Sequence, residues 1–390
     1  MREPPLAEPI AAGQFFWLHA ASIVTGGVFL WPAPLLAGAG RDAVGAFVFS
    51  LLLVLALTAL RFAWIGYVGV SALPVLLART WGRAGAWLLL VLMTLVVSLP
   101  LAAAVLALFG EMMTTFFYPR LPLWVLEGTP LAVAVLLGRA RLADLARNVA
   151  FWFPLVGGVT LFLLGMGLAN LQDAGAMLPA AALDPADLWR GVAGSWFLWN
   201  QCVFVEAAAG VVRGRPGRRL RRLALLGAAF LGLCLLGFLG MALGTLGPEV
   251  AGGLRWPLVY LFSALNIHQF FVTRLALLGF FSWVVTFVLF QAIYLFFLAY
   301  HWQIGLGLGD RGRRLLVLAL ALFTLAGALI LNTAHAAQSL LLGVISPLCL
   351  AAGLSITPLS LLKAALAARR QYSQQRTVGD GSGAGRPGAG

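Results

Sequence analysis

The sequence predicts an all-α integral membrane protein. Ten transmembrane helices are expected in a 5+5 inverted-repeat, transporter-like fold, with the first and sixth helices broken. Three observations carry that expectation. The first is composition: 62% of the 390 residues are hydrophobic, 10% are charged, and mean hydropathy is +0.96. A soluble domain carries about 25% charged residues, so this chain could not cover a water-facing surface. Intrinsic disorder is excluded for most of its length, because disorder requires low hydrophobicity. The second is the apolar pattern, which resolves into ten runs near the length of about 20 residues that a spanning helix needs. The third is the placement of the basic residues between those runs.

The elements follow in order. Residues 1–13 form a polar, Pro-rich N-terminus that leads into the first apolar run without a cleavable signal pattern. The membrane domain covers 14–365, with spans at 14–37, 43–62, 85–117, 121–138, 148–170, 190–212, 223–246, 270–300, 315–332 and 337–362. The first repeat is 14–170 and the second 190–362. Residues 67–77 are apolar but short and contain Pro74, and are expected to lie at the interface, ending at Arg79. Residues 254–269 are expected to form a short helix on the opposite face. The segment 366–390 reads as a disordered cytoplasmic tail, being rich in Gly and Ser from Gln371 onward.

Orientation follows from charge. The chain has 26 basic and 13 acidic residues, a net charge of +13, and Lys363 is its single lysine. With the N-terminus inside, 21 basic residues fall on the cytoplasmic side and 5 (Arg41, Arg120, Arg190, Arg255 and Arg274) outside. Both termini are then cytoplasmic. The basic residues sit between spans, so the charge does not point to nucleic acid. The run Arg213–Arg222 fits this topology with contact to anionic membrane lipids; its other reading is a docking site for a cytoplasmic partner.

Polar and helix-breaking residues at membrane depth mark the candidate site. Thr25-Gly26-Gly27 lies mid-span in the first run, before Trp31-Pro32-Ala33-Pro34. Glycine weakens a helix and proline removes a backbone donor. Broken backbone at this depth must be buried or line a cavity; the other reading is a close small-residue helix contact. The sixth run carries Trp196, Trp199, Asn200, Phe204 and Glu206. An acid here costs about 2.5–3.5 kcal/mol on insertion scales, so it faces a cavity or a partner, and the aromatic residues can wall a small pocket. Glu206 reads equally as a structural hydrogen-bonding group.

Glu111, near the outer end of the third span, and Glu127, before Gly128-Thr129-Pro130 in the fourth, are possible proton-carrying or structural acids, with Arg274 a candidate partner. His19, His268, His301 and His335 show no metal spacing and read as structural or interfacial. Cys202, Cys234 and Cys349 all lie in apolar runs, without metal-ligand or disulfide spacing. No catalytic cluster, metal site or cofactor is expected.

Four stretches carry a family resemblance. They are Gly13-Gln14-Phe15-Phe16 leading to Gly26-Gly27-Val28-Phe29-Leu30-Trp31-Pro32; Phe109-Gly110-Glu111 with Tyr118-Pro119-Arg120-Leu121-Pro122-Leu123-Trp124; Arg139-Ala140-Arg141-Leu142-Ala143-Asp144 before Phe153-Pro154; and Arg255-Trp256-Pro257-Leu258 before Phe271-Val272-Thr273-Arg274-Leu275. In this order the chain resembles the spore-germination permease family, the B subunits of Ger-type nutrient germinant receptors, within the amino acid–polyamine–organocation superfamily. The family often has Gly-Phe-Glu in the sixth helix, where this chain has Phe204-Val205-Glu206. The departure puts the second break in question and narrows any pocket.

The resemblance implies a non-enzymatic sensor. A small nutrient such as an amino acid would bind mid-membrane, among the first, third, sixth and eighth helices. The chain would act with germinant receptor A and C subunits in the bacterial cytoplasmic membrane or spore inner membrane, and binding would trigger germination. Residue by residue, the resemblance carries a ligand-binding role to Thr25, Gly26, Gly27, Asn200 and Glu206. The alternative is a proton- or ion-coupled secondary amino-acid transporter of the same fold.

Overall fold

The computed structural model describes residues 8–24, 26–169, 171, 175, 184–199, 203–213, 217–264 and 275–381. Helices make up nearly all of it, and the β contacts among the described residues are two isolated bridges. Among the described residues, seven helical stretches are long and apolar enough to cross a membrane, and a shorter apolar helix covers Leu123–Gly138.

The first predicted span is interrupted. Helix α1 (Ala12–Ile23) opens with the Gln14 side chain accepting from the Ala11 backbone N–H at 2.8 Å. It stops at Val24, whose backbone is extended, and a 3-10 turn occupies Gly26–Phe29. Helix α2 (Ala33–Ala39) then starts with Pro34 in its first turn, where no backbone donor is needed. Helix α3 (Ala43–Val68) follows and ends at Gly69 in a left-handed conformation.

Residues 67–77 do not form one interfacial helix. The stretch is split between the end of α3 and the start of helix α4 (Leu73–Val91), with the turn at Gly69 separating them. Gly82, at φ 78°, breaks α4 just after Trp81. A short helical piece beginning at Leu73 thus does precede the third span, a few residues later than expected. Arg79 donates to the Val68 carbonyl at 3.0 Å and closes the end of α3.

A π-helical stretch, Leu92–Ser98, joins α4 to helix α5 (Leu99–Phe116), and a second, Leu341–Ile345, joins helix α14 (Ala334–Leu340) to helix α15 (Ser346–Gly381). Pro100 and Pro347 sit just past these stretches. Each proline lacks an N–H and crowds the carbonyl four residues back, and the wider turn absorbs both defects.

The remaining helices are α6 (Leu123–Gly138), α7 (Leu142–Ala169), α8 (Pro185–Ser195), α9 (Arg218–Leu246), α10 (Pro248–Gly253), α11 (Pro257–Ala264), α12 (Leu275–Leu306), α13 (Asp310–Ile330), α14 (Ala334–Leu340) and α15 (Ser346–Gly381). The last runs well past residue 366, into the segment whose composition suggests disorder. Ala364 to Ala368 are strong helix formers, and neither Gly nor Pro intervenes before Gly379.

The core centres on α12. Every residue from Leu289 to His301 is buried, around the full circumference of the helix. Such a helix lies inside a bundle rather than at its edge, and α12 packs against α6, α7 and α13. Helix α5 is buried continuously from Leu101 to Gly110 and packs on α13. Leu88, Leu95, Leu136, Phe151, Phe323 and Ile330 are exposed on the outside of the bundle, which suits side chains facing lipid.

Candidate functional site

The two broken segments meet. Beyond α8 the sixth segment passes through a 3-10 turn at Trp196–Leu198, an extended Trp199, and a further 3-10 stretch at Val205–Val211. The break therefore forms without a glycine in front of Glu206. Val24 and Trp199, the extended residues of the first and sixth segments, pair as an antiparallel bridge. At the arginine-rich face the same segments pair again in parallel. The Ile10 N–H donates to the Val211 carbonyl at 3.1 Å, and the Arg213 N–H donates to the Ile10 carbonyl at 2.9 Å.

Close packing on the side away from that pairing brings the two segments together again. Helix α2 lies on α8, and a Cβ on Gly38 would sit 2.8 Å from the Gly191 Cα. Only glycine at both positions allows that approach. Ser346 fixes the sixth segment from α15. Its hydroxyl accepts from the Phe197 N–H at 2.9 Å and donates to the Ala193 carbonyl at 2.6 Å. Trp199 stacks on Phe47 at 5.7 Å and donates from Nε1 to the Ser50 hydroxyl at 3.2 Å. Trp196 is buried, and its Nε1 has no hydrogen-bond partner among the described residues.

Glu206 is the charged centre of this region. Its carboxylate lies 3.2 Å from Arg61 Nη1 on α3 and 3.8 Å from His19 Nε2 on α1. All three side chains are buried. The Arg61 guanidinium also lies over the Phe204 ring at 5.4 Å, and Trp64 meets that ring edge-on. Two opposite charges and a ring face thus offset one another where water is excluded. Ser71 donates to the Ala207 carbonyl at 3.0 Å, next to Glu206. His301 on α12 is buried within electrostatic reach of Glu206, beside the Phe204 backbone.

Two cavities flank the seam. An apolar one of about 80 Å3 lies beside the first break, lined by Ala20, Val24, Val28, Phe153, Phe238 and Trp283 among others. Thr160 and Ser282, 3.2 Å apart, supply its polar edge. A larger one of about 510 Å3 opens on the arginine-rich face, between Ser71, Gly210, Arg218 and Arg221.

The expected residues therefore divide. Trp196, Trp199, Phe204 and Glu206 are gathered at the seam, and Gly26 and Gly27 open the 3-10 turn of the first segment. Thr25, Asn200, Arg274, His268 and Cys202 lie outside the described residues. Glu111 pairs with Arg255 at 3.0 Å. Arg61 and His19 are the additions that sequence reasoning missed. Arg61 ends an apolar run and was grouped with the residues of the cytoplasmic face; its partner is 145 positions away. Among the described residues no three His, Cys, Asp or Glu side chains gather to hold a metal ion.

Residues 10–336 match a family model described as "Spore germination protein". No curated protein matches the chain significantly. Among solved structures, the manganese transporter of Eremococcus coleocola, crystallised with an aromatic bis-isothiourea compound, is similar at a TM-score of 0.59 and 14% identity, over 90% of this chain and 78% of the transporter. At that identity the likeness concerns the fold alone.

Proposed function

The chain belongs to the spore germination protein family, and from that premise we propose that it is the ligand-sensing B subunit of a nutrient germinant receptor. A small nutrient such as an amino acid binds mid-membrane where the first and sixth segments break. Acting with A and C subunits, the chain passes that signal on to trigger germination. The carrying observation is the seam itself: two interrupted helices paired at Val24 and Trp199, with the buried Glu206–Arg61–His19 cluster beside them.

In this reading the chain crosses the membrane ten times, as repeats 14–170 and 190–362, with both termini in the cytoplasm. Helix is described within each of the ten predicted spans, interrupted in the first and sixth, which supports the plan. Backbone N–H groups freed at Gly26 and Gly27, with those around Thr25 and Asn200, receive the ligand's carboxylate. Trp196, Trp199 and Phe204 wall the site. Glu206, held by Arg61, reports occupancy.

The test is germination. Spores stripped of other nutrient receptors, and carrying this chain with its own A and C subunits, are offered a nutrient panel. A response to at least one nutrient that is lost with Trp199→Ala, while protein level is unchanged, supports the reading. Silence to every nutrient overturns it.

A secondary transporter is the second reading, favoured by the fold shared with the manganese transporter. Gradient-driven accumulation by the purified chain alone in vesicles would establish it. Saturable binding without accumulation would favour the sensor.

A further inference from the structure

A second site lies away from the seam, at the end of the bundle opposite the arginine-rich face. A cavity of about 390 Å3 opens there among α5, α6, the Arg255 turn and the α13–α14 connection. Its volume falls in the range of small-molecule pockets, roughly 300–1,000 Å3. Glu111 and Arg255 on its wall neutralise one another at 3.0 Å. Glu127, also on the wall, is different. Its side chain is 1% exposed, and Oε2 has no hydrogen-bond partner among the described residues.

Room has been made for this carboxyl. A Cβ on Gly110 would sit 2.6 Å from Glu127 Cγ and 2.9 Å from Oε1, so any other residue there would displace it. Two acids face one guanidinium, with the His335 imidazole also on the wall; with both acids ionised and the imidazole uncharged, the pocket carries one negative charge in excess. A buried carboxylate oxygen without a donor is costly unless something supplies one. Thr114 and Thr115 spend their hydroxyl protons on the Gly110 and Glu111 carbonyls, and Asn332 and His335, which also line the pocket, make no hydrogen bond to Glu127 Oε2.

We propose that this pocket binds a small organic ammonium ion, with Glu127 Oε2 accepting its N–H. The site is independent of the nutrient site proposed above: no residue is shared, and its failure leaves the germination reading untouched.

The test is thermal unfolding of the full chain in lipid nanodiscs, titrated with ethylammonium, tetramethylammonium, potassium and acetate at fixed ionic strength. Ethylammonium carries N–H donors, and tetramethylammonium has the same charge without them. The expected result is a saturable rise in Tm with ethylammonium alone. Glu127→Gln should weaken it about tenfold or more, the loss of one charge-assisted hydrogen bond. Gly110→Ala, which keeps the charge but displaces the carboxyl, should do the same, and serves if the first variant fails to fold. Equal responses to ethylammonium and tetramethylammonium, no response to either, or an unchanged affinity in both variants would overturn the proposal. A response to potassium alone would replace the ammonium ion with a metal cation and overturn it as stated.

Discussion

Two long-range carboxylate–guanidinium pairs of nearly equal length, Glu206–Arg61 and Glu111–Arg255, stand in very different surroundings. Glu206 and Arg61 are 3.2 Å apart with side chains 2% and 4% exposed, whereas Glu111 and Arg255 are 3.0 Å apart at 29% and 38%. Distance alone would rank them together. Surroundings separate them: removing one partner of a buried pair strands the other charge, at a cost of about 3–5 kcal/mol, while a part-exposed pair is worth about 0–1 kcal/mol because water replaces the lost partner. The buried pair is therefore the one whose making or breaking can throw a conformational equilibrium.

The sharpest way to break this contrast is Arg61→Met. It should destabilise the folded chain by about 3–5 kcal/mol, read by reversible unfolding in detergent. Adding Glu206→Leu should recover most of that loss, since no charge is then stranded. A single variant no worse than Arg255→Ala would erase the distinction.

Packing around the seam gives the next effect. Gly191→Ala places a Cβ 2.6 Å from that of Ala39 and 3.3 Å from the Leu35 carbonyl. Overpacking of this kind costs about 1–3 kcal/mol, and the variant should also lose nutrient response if α2 and α8 must stay in register. Ser346→Ala is expected to cost about 1–3 kcal/mol, because the buried Phe197 N–H loses its acceptor. Its signature would be faster amide exchange at Phe197, with α13 unaffected. The smallest effect belongs to Arg255→Ala, about 0–1 kcal/mol and reduced further in high salt. A larger loss there would mean that the outer pair is drier than its exposure indicates.

Sequence carried some of this and not the rest, for physical reasons. The first break was legible because Gly26-Gly27 weakens the helix at one place. The second was obscured by Phe204, yet the chain breaks there too, because contacts from elsewhere hold it: Ser346 captures the Phe197 N–H, and Ser71 captures the Ala207 carbonyl. Local propensity has no access to such long-range partners. The Glu111–Arg255 pair was half legible: Glu111 was identified and Arg255 was not, while Arg274, the partner suggested for one of the two acids, lies outside the described residues. Arginine at the end of an apolar run reads as a topology signal whether it meets water, as Arg83 does, or a carbonyl. Arg313 is the counter-example: it is buried, donates to the Gly138 and Ala140 carbonyls, and closes the end of α6. His19 reads from sequence as structural or interfacial, and its buried acid partner is invisible there because a histidine needs no metal-type spacing to face one carboxylate.

The first and sixth segments are joined twice, at Ile10 with Val212 and at Val24 with Trp199. Two attachment points make a couple: neither segment can slide or rotate alone without shearing one of them. A molecule wedged between Val24 and Trp199 would push against a joint still pinned at Ile10, so the displacement would be levered toward the arginine-rich face instead of dissipating at the wedge.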